Sequence, residues 1–80
     1  MRLDKFLKVS RIIKRRTVAN EACDAARVTV NGRPVKASYE VKINDEVEIA
    51  FGARTLKIRV ISTKESVGKA DAAGLYEVIE

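Results

Sequence analysis

Histidine and tryptophan are missing from this chain of 80 residues, cysteine, methionine and proline occur once each, and aromatics make up only 5%. Each scarcity removes a class of chemistry. Without histidine there is no imidazole to act as general base or metal ligand, and one cysteine cannot form a thiolate cluster, so the usual zinc sets and nucleophile–base pairs are out of reach. Cys23 alone cannot close an intrachain disulfide, which points to a reducing cytoplasm. No apolar run approaches the roughly 18 residues of a membrane span. The N-terminus is charged from Arg2 onward and predicts no secretory signal. The four rings, Phe6, Tyr39, Phe51 and Tyr76, are scattered, which argues against a base-stacking platform of the RRM or OB type. A catalytic Asp, Glu or Lys stays open, but a chain this short has little room for both a core and a closed pocket, and the reading is of a protein that is not an enzyme.

What the chain has is charge, unevenly spread. Residues 2–36 hold ten Lys or Arg (Arg2, Lys5, Lys8, Arg11, Lys14, Arg15, Arg16, Arg27, Arg33, Lys36) against Asp4, Glu21 and Asp24. Residues 37–80 hold six against eight, so the net +5 is a strongly basic half joined to a mildly acidic one. Such a polarised field draws a polyanion to one face.

Leu3, Phe6 and Leu7 share one helical face, and a first helix is expected over about 2–9, with Asp4 in its first turn where the helix dipole favours a carboxylate. Ser10 and Arg11 suggest a break before Ile12 and Ile13. Thr17 reads as the N-cap of a second helix whose stripe is Val18, Ala19, Ala22, Cys23 and Ala26; its small side chains imply close packing on the first helix. Cys23 falls in that stripe and reads as a buried small hydrophobe. Val28-Thr29-Val30 and Arg33-Pro34-Val35 flank Asn31-Gly32, the signature of a type I′ hairpin whose second arm Pro34 keeps short or at an edge. Asn44-Asp45 marks another turn. A second hairpin follows, with Val47, Ile49 and Phe51 on one face, a Gly52-Ala53 turn, and Leu56, Ile58 and Val60 beyond. Residues 62–74 read as a solvated loop with a helical turn around 69–73, and 75–79 as a last strand. The expected architecture is α+β, two or three N-terminal helices on a small, mostly antiparallel sheet, in one domain spanning 1–80.

Lys and Arg bind phosphate by displacing counterions, and Arg adds a planar fork matched to its oxygens. No set of Asn, Gln and Arg suits a DNA major groove, so structured RNA recognised by shape and phosphate geometry fits better.

The succession Arg2-Leu3-Asp4-Lys5-Phe6-Leu7, Ser10-Arg11, Arg15-Arg16-Thr17, Ala19, Arg27-Val28-Thr29-Val30-Asn31-Gly32, Lys36, Ser38, Val41 and Asp45 resembles the S-four RNA-binding domain, named after the fourth protein of the small ribosomal subunit. The likeness runs over about 1–50 and includes the family's αL motif, two helices and a hairpin that form a basic RNA-contacting surface; the strands of 46–80 follow it. Two positions depart from the family pattern: Asn44 and Ala26 stand where Gly is usual. S-four domains are often joined to pseudouridine synthases, methyltransferases or tyrosyl-tRNA synthetases, and these eighty residues hold no such module. They look more like small factors that act on the obstructed large ribosomal subunit, such as the proteobacterial heat-shock S-four proteins and the quality-control S-four factors of Gram-positive bacteria.

The resemblance implies binding to large-subunit rRNA and peptidyl-tRNA together, holding the tRNA in the P-site during C-terminal tailing of stalled nascent chains, beside an RqcH-type tailing factor. No cofactor, metal or membrane is implied, and a monomer is expected when free. Within that reading, Arg2, Lys5, Arg11, Arg15 and Arg16 are phosphate contacts, with Arg27 flanking the hairpin. Asn31, Gly32 and Lys36 bring that hairpin to the RNA backbone. Asp4 either serves the helix dipole, orients an Arg or accepts from a ribose hydroxyl. Arg16 beside Thr17 is the first choice, because a helix start also favours phosphate. A protein-interaction module using a free sheet edge, or a role in ribosome assembly, are the competing readings.

Overall fold

The computed structural model describes residues 1–63 and 74–79. Among them are two α-helices, α1 (Leu3–Val9) and α2 (Arg16–Asp24), and five strands, β1 (Val28–Val30), β2 (Arg33–Pro34), β3 (Glu46–Phe51), β4 (Arg54–Val60) and β5 (Tyr76–Val78). The strands form one antiparallel sheet in the order β2-β1-β3-β4-β5. This is the α+β architecture expected from the periodicities.

Leu3, Phe6 and Leu7 of α1 are fully buried, as their spacing requires, and the helix ends where the Ser10 hydroxyl turns back to donate to the Leu7 carbonyl at 3.3 Å. Arg11 then takes a left-handed conformation, φ 63°, and reverses the chain between the helices. The second helix starts earlier than expected. Its N-cap is Arg15, whose carbonyl accepts from the Ala19 amide at 3.1 Å, so Thr17 lies inside the first turn and caps nothing with its hydroxyl. Ala19 and Cys23 of the predicted stripe are buried; Val18 is exposed, because it sits off the face that meets α1.

The end of α2 is a Schellman motif. The Arg27 amide donates to the Ala22 carbonyl and the Ala26 amide to that of Cys23, at 2.9 and 3.0 Å, and Ala26 occupies the left-handed position with φ 58°. That geometry is why glycine is usual there. Asn44, at the second departure, has φ 76°, which asparagine tolerates.

Asn31 and Gly32 both have positive φ, 53° and 84°, in the two-residue turn that pairs Val30 with Arg33. This is the I′ conformation the dipeptide predicts. Pro34 ends up on the edge strand, where no ladder hydrogen bond is asked of it. Val28, Val30, Val47, Ile49, Ile58, Val60 and Leu75 turn inward to meet the helices. Phe51 keeps the facing of Val47 and Ile49 but overhangs the helical layer and stays exposed. The last strand pairs with β4 through Ile58–Val78 and Val60–Tyr76. The expected helical turn at 69–73 lies outside the described residues.

The segment between β2 and β3 has no strand of its own but locks the two layers together. Its Tyr39 and Ala37 carbonyls accept the Leu3 and Asp4 amides, at 2.8 and 3.1 Å, taking up N–H groups that a helix start leaves unpaired. Asp45, nearly buried, closes the same segment by accepting from the Tyr39 hydroxyl (2.9 Å), the Lys42 amide (2.9 Å) and the Asn31 side-chain amide (3.2 Å).

Candidate nucleic-acid interface

Where α1 and α2 begin, the buried carboxylate of Asp4 gathers three side chains. Arg2 reaches it with Nε at 3.2 Å and Nη2 at 3.3 Å, Arg16 with Nε at 3.3 Å, and Asn20 with Nδ2 at 3.4 Å. The Lys5 amide donates to the same group at 2.8 Å. The carboxylate has a relative side-chain exposure of 3%, against 48% for Arg2 and 44% for Arg16. One buried negative charge therefore anchors two guanidinium groups whose other halves face solvent, with a net positive charge left over. Arg16 approaches the carboxylate through Nε, which leaves its terminal amino groups at the outer end of a side chain that is 44% exposed. They are the groups that match two oxygens of a phosphate.

Burial pushes the Asp4 carboxyl up, but the hydrogen bonds from Arg16, Asn20 and the Lys5 amide, together with the Arg16 charge, outweigh it and hold the group below its ordinary 3.8. Asp4 thus stays ionised and its grip on the arginines persists at neutral pH. Of the sequence expectations for this residue, the geometry displays two: Asp4 sits in the first turn of α1, where the helix dipole favours it, and it holds neighbouring arginines. A shallow groove opens beside the pair, lined by Arg2, Asp4, Arg16, Thr17, Asn20 and Glu21.

The other candidates lie at varying distance from this fork. Arg11 and Arg15 are exposed on the segment that leads into α2, Arg11 at the left-handed reversal and Arg15 at the N-cap. Lys36 is exposed and directly precedes Ala37, whose carbonyl takes the Asp4 amide, so its backbone stands at the start of α1. Lys5 is partly buried on α1. Arg27 belongs to a second, more apolar groove with Ile12, Val18 and Phe51. Asn31 and Gly32 line a third hollow with Glu46 and Glu48. The Asn31 side chain is spent inside the fold, donating to Asp45 and accepting from the Glu46 amide at 3.0 Å. The structure brings Arg2, Asp4, Arg16 and Thr17 together and sets Arg27, Asn31 and Gly32 apart from them.

Sequence reasoning missed Asn20 and Glu21 as members of the groove. Asn20 is a polar residue one helical turn beyond Arg16 on the same face, and that spacing was the available signal.

Residues 1–47 match the family model described as the S4 domain. The chain is 58% identical over 79 residues to the RQC P-site tRNA stabilizing factor of Streptococcus pneumoniae, covering 99% of this chain and 90% of that protein. It is 46% identical over 80 residues to the protein of the same name from Bacillus subtilis, covering 100% and 93%. Among solved structures, the trimeric structure of Vibrio cholerae Heat Shock Protein 15 superposes with a TM-score of 0.90 at 28% identity, over 98% of this chain and 80% of that one.

Proposed function

The chain belongs to the S4 domain family, and from that membership we propose that it is a non-catalytic RNA-binding factor of ribosome-associated quality control. It binds rRNA of the obstructed large ribosomal subunit and steadies peptidyl-tRNA in the P-site while stalled nascent chains are tailed. The observation that carries this reading is the identity of 58%, over nearly the whole of both chains, with a relative named as a P-site tRNA stabilizing factor. The fork of Arg2 and Arg16 on Asp4 supports it chemically, because two fixed guanidinium groups meet a phosphate backbone with little side-chain entropy left to lose. Arg2, Lys5, Arg11, Arg15, Arg16 and Lys36 are the phosphate contacts in this proposal. Asp4 positions the two arginines, and Thr17 lines the groove between them and the incoming RNA.

The factor works in the cytoplasm as a monomer when free, beside an RqcH-type tailing factor, and needs no cofactor. Co-sedimentation with large subunits tests the reading. Subunits that carry peptidyl-tRNA are expected to retain the protein at a salt concentration that strips it from empty ones. Equal retention on both would remove the tRNA from the account and leave an assembly role.

A further inference from the structure

On the far side of Glu21 from the arginine fork lies a groove of about 410 Å³ lined mainly by apolar residues, among them Ile12, Val18, Ala22 and Phe51, with Glu21 and Arg27 as its charged members. Ile13 and Ile49 at its base belong to the core and Ile12 and Ala22 pack against it, but Val18 and Phe51 at its rim do not. Val18 and Phe51 remain 45% and 43% exposed, although Phe51 shares its facing with the buried Val47 and Ile49. We propose that this groove receives one unstacked nucleobase of the RNA held at the fork, with the base against the Phe51 ring and the Val18 side chain, and its flanking phosphate near Arg27.

Three features favour a base over an apolar protein segment. Glu21 lines both the fork groove and this one, so the two grooves adjoin and a strand whose phosphates lie on Arg2 and Arg16 has a neighbouring groove to enter. Arg27 supplies the cation that an RNA backbone needs and an aliphatic segment does not. A carboxylate and an aromatic ring lining one groove also suit a base with an exocyclic amine, which donates to the carboxylate while its π-face stacks. The scattered aromatics exclude a platform for several bases but leave room for a single stack of this kind. The inference rests on the RNA-binding reading above and adds a position and a ligand class to it.

Short A-form stems, each carrying one adenine bulged at a successive position, and the same stem without a bulge, are the probes for a thermodynamic cycle. Wild-type protein is expected to prefer at least one bulged stem by about fivefold or more, the low end of a single base–aromatic stack. Phe51→Leu keeps the apolar volume and is expected to bind both stems equally. The Phe51→Leu variant should also keep the wild-type salt slope, because no phosphate contact is lost, while its affinity extrapolated to 1 M salt falls. Phe51→Trp, followed by its own indole fluorescence, should be quenched by the preferred stem. No preference at any bulge position, or a preference that survives in Phe51→Leu, overturns the proposal. So does an indole signal in the Phe51→Trp variant that responds to protein concentration alone, since a second copy would then occupy the groove. Loss of all stem binding by wild-type protein would instead overturn the RNA-binding reading itself, so the two failures are distinct.

Discussion

Asp4 Oδ2 lies 3.3 Å from Arg16 Nε, joining the first turn of α1 to the first turn of α2 through a carboxylate that solvent barely reaches. Arg2 is bound to the same group, so three residues that the sequence offers as separate site candidates form one device. A buried carboxylate with one partner removed is costly, whereas with both arginines in place it is satisfied and orients them.

That arrangement makes the fold sensitive to acid in a defined direction. The Asp4 pKa is lowered in the folded chain, so its contribution to stability is fully present above the ordinary 3.8 and is lost as the pH falls through the lower folded value. Urea titrations at a series of pH values should show wild-type stability dropping from about pH 5 downward, while Asp4→Asn, less stable at neutral pH, shows a shallower drop. Glu40 is also lowered, by its hydrogen bond and ion pair with the N-terminal ammonium, so Glu40→Gln is the control that isolates Asp4.

Cys23 should be chemically quiet. Burial, reinforced by the negative charges of Asp4 and Asp24, pushes its thiol up to about 11. Alkylation by iodoacetamide at about pH 8, where an ordinary thiol is partly ionised, should proceed only through unfolding and accelerate sharply in denaturant. Rapid labelling of the native chain would show that α2 does not pack as described.

Ala26→Gly should stabilise the fold by about 1 kcal/mol, because a left-handed residue with a Cβ is strained and glycine is not. For a chain of this size the melting temperature should rise by roughly 4–8 °C. RNA affinity should be unaffected.

Tyr39→Phe removes one of three donors to Asp45 and should cost about 1 kcal/mol in a urea titration. Burial, the hydrogen bond to Asp45 and the Asp45 charge raise the Tyr39 pKa above 10.0, so this contribution is present below that value and is lost as the pH rises beyond it.

Much of the fold was legible because local rules agree with tertiary ones. The apolar spacing of Leu3, Phe6 and Leu7, the Asn31-Gly32 turn and the alternation from Glu46 to Phe51 each specify an element that the structure contains. Thr17 misled because capping propensity is local. The helix instead begins at Arg16 with Arg15 as its N-cap, and the Arg16 contact with Asp4 ties that start to the first turn of α1. Phe51 keeps its expected facing yet stays exposed, because periodicity does not tell how far the covering layer extends, and Val18 misled because it lies off the face of α2 that is buried. The basic half was visible as a count, yet charge density does not tell which cations share an anchor. Asp4 was legible as a helix-dipole residue, and its role as the hub depends on a contact with α2 that no local pattern encodes.

The salt dependence of binding to large-subunit rRNA, compared between wild type and Arg16→Ala, tests the central claim most directly. With both proteins folded by circular dichroism, the account predicts that the variant binds about tenfold more weakly at physiological salt. Its slope of log K against log salt should be shallower by about one. Wild-type affinity and slope in Arg16→Ala would contradict the claim that the Asp4-anchored arginines meet the phosphate backbone.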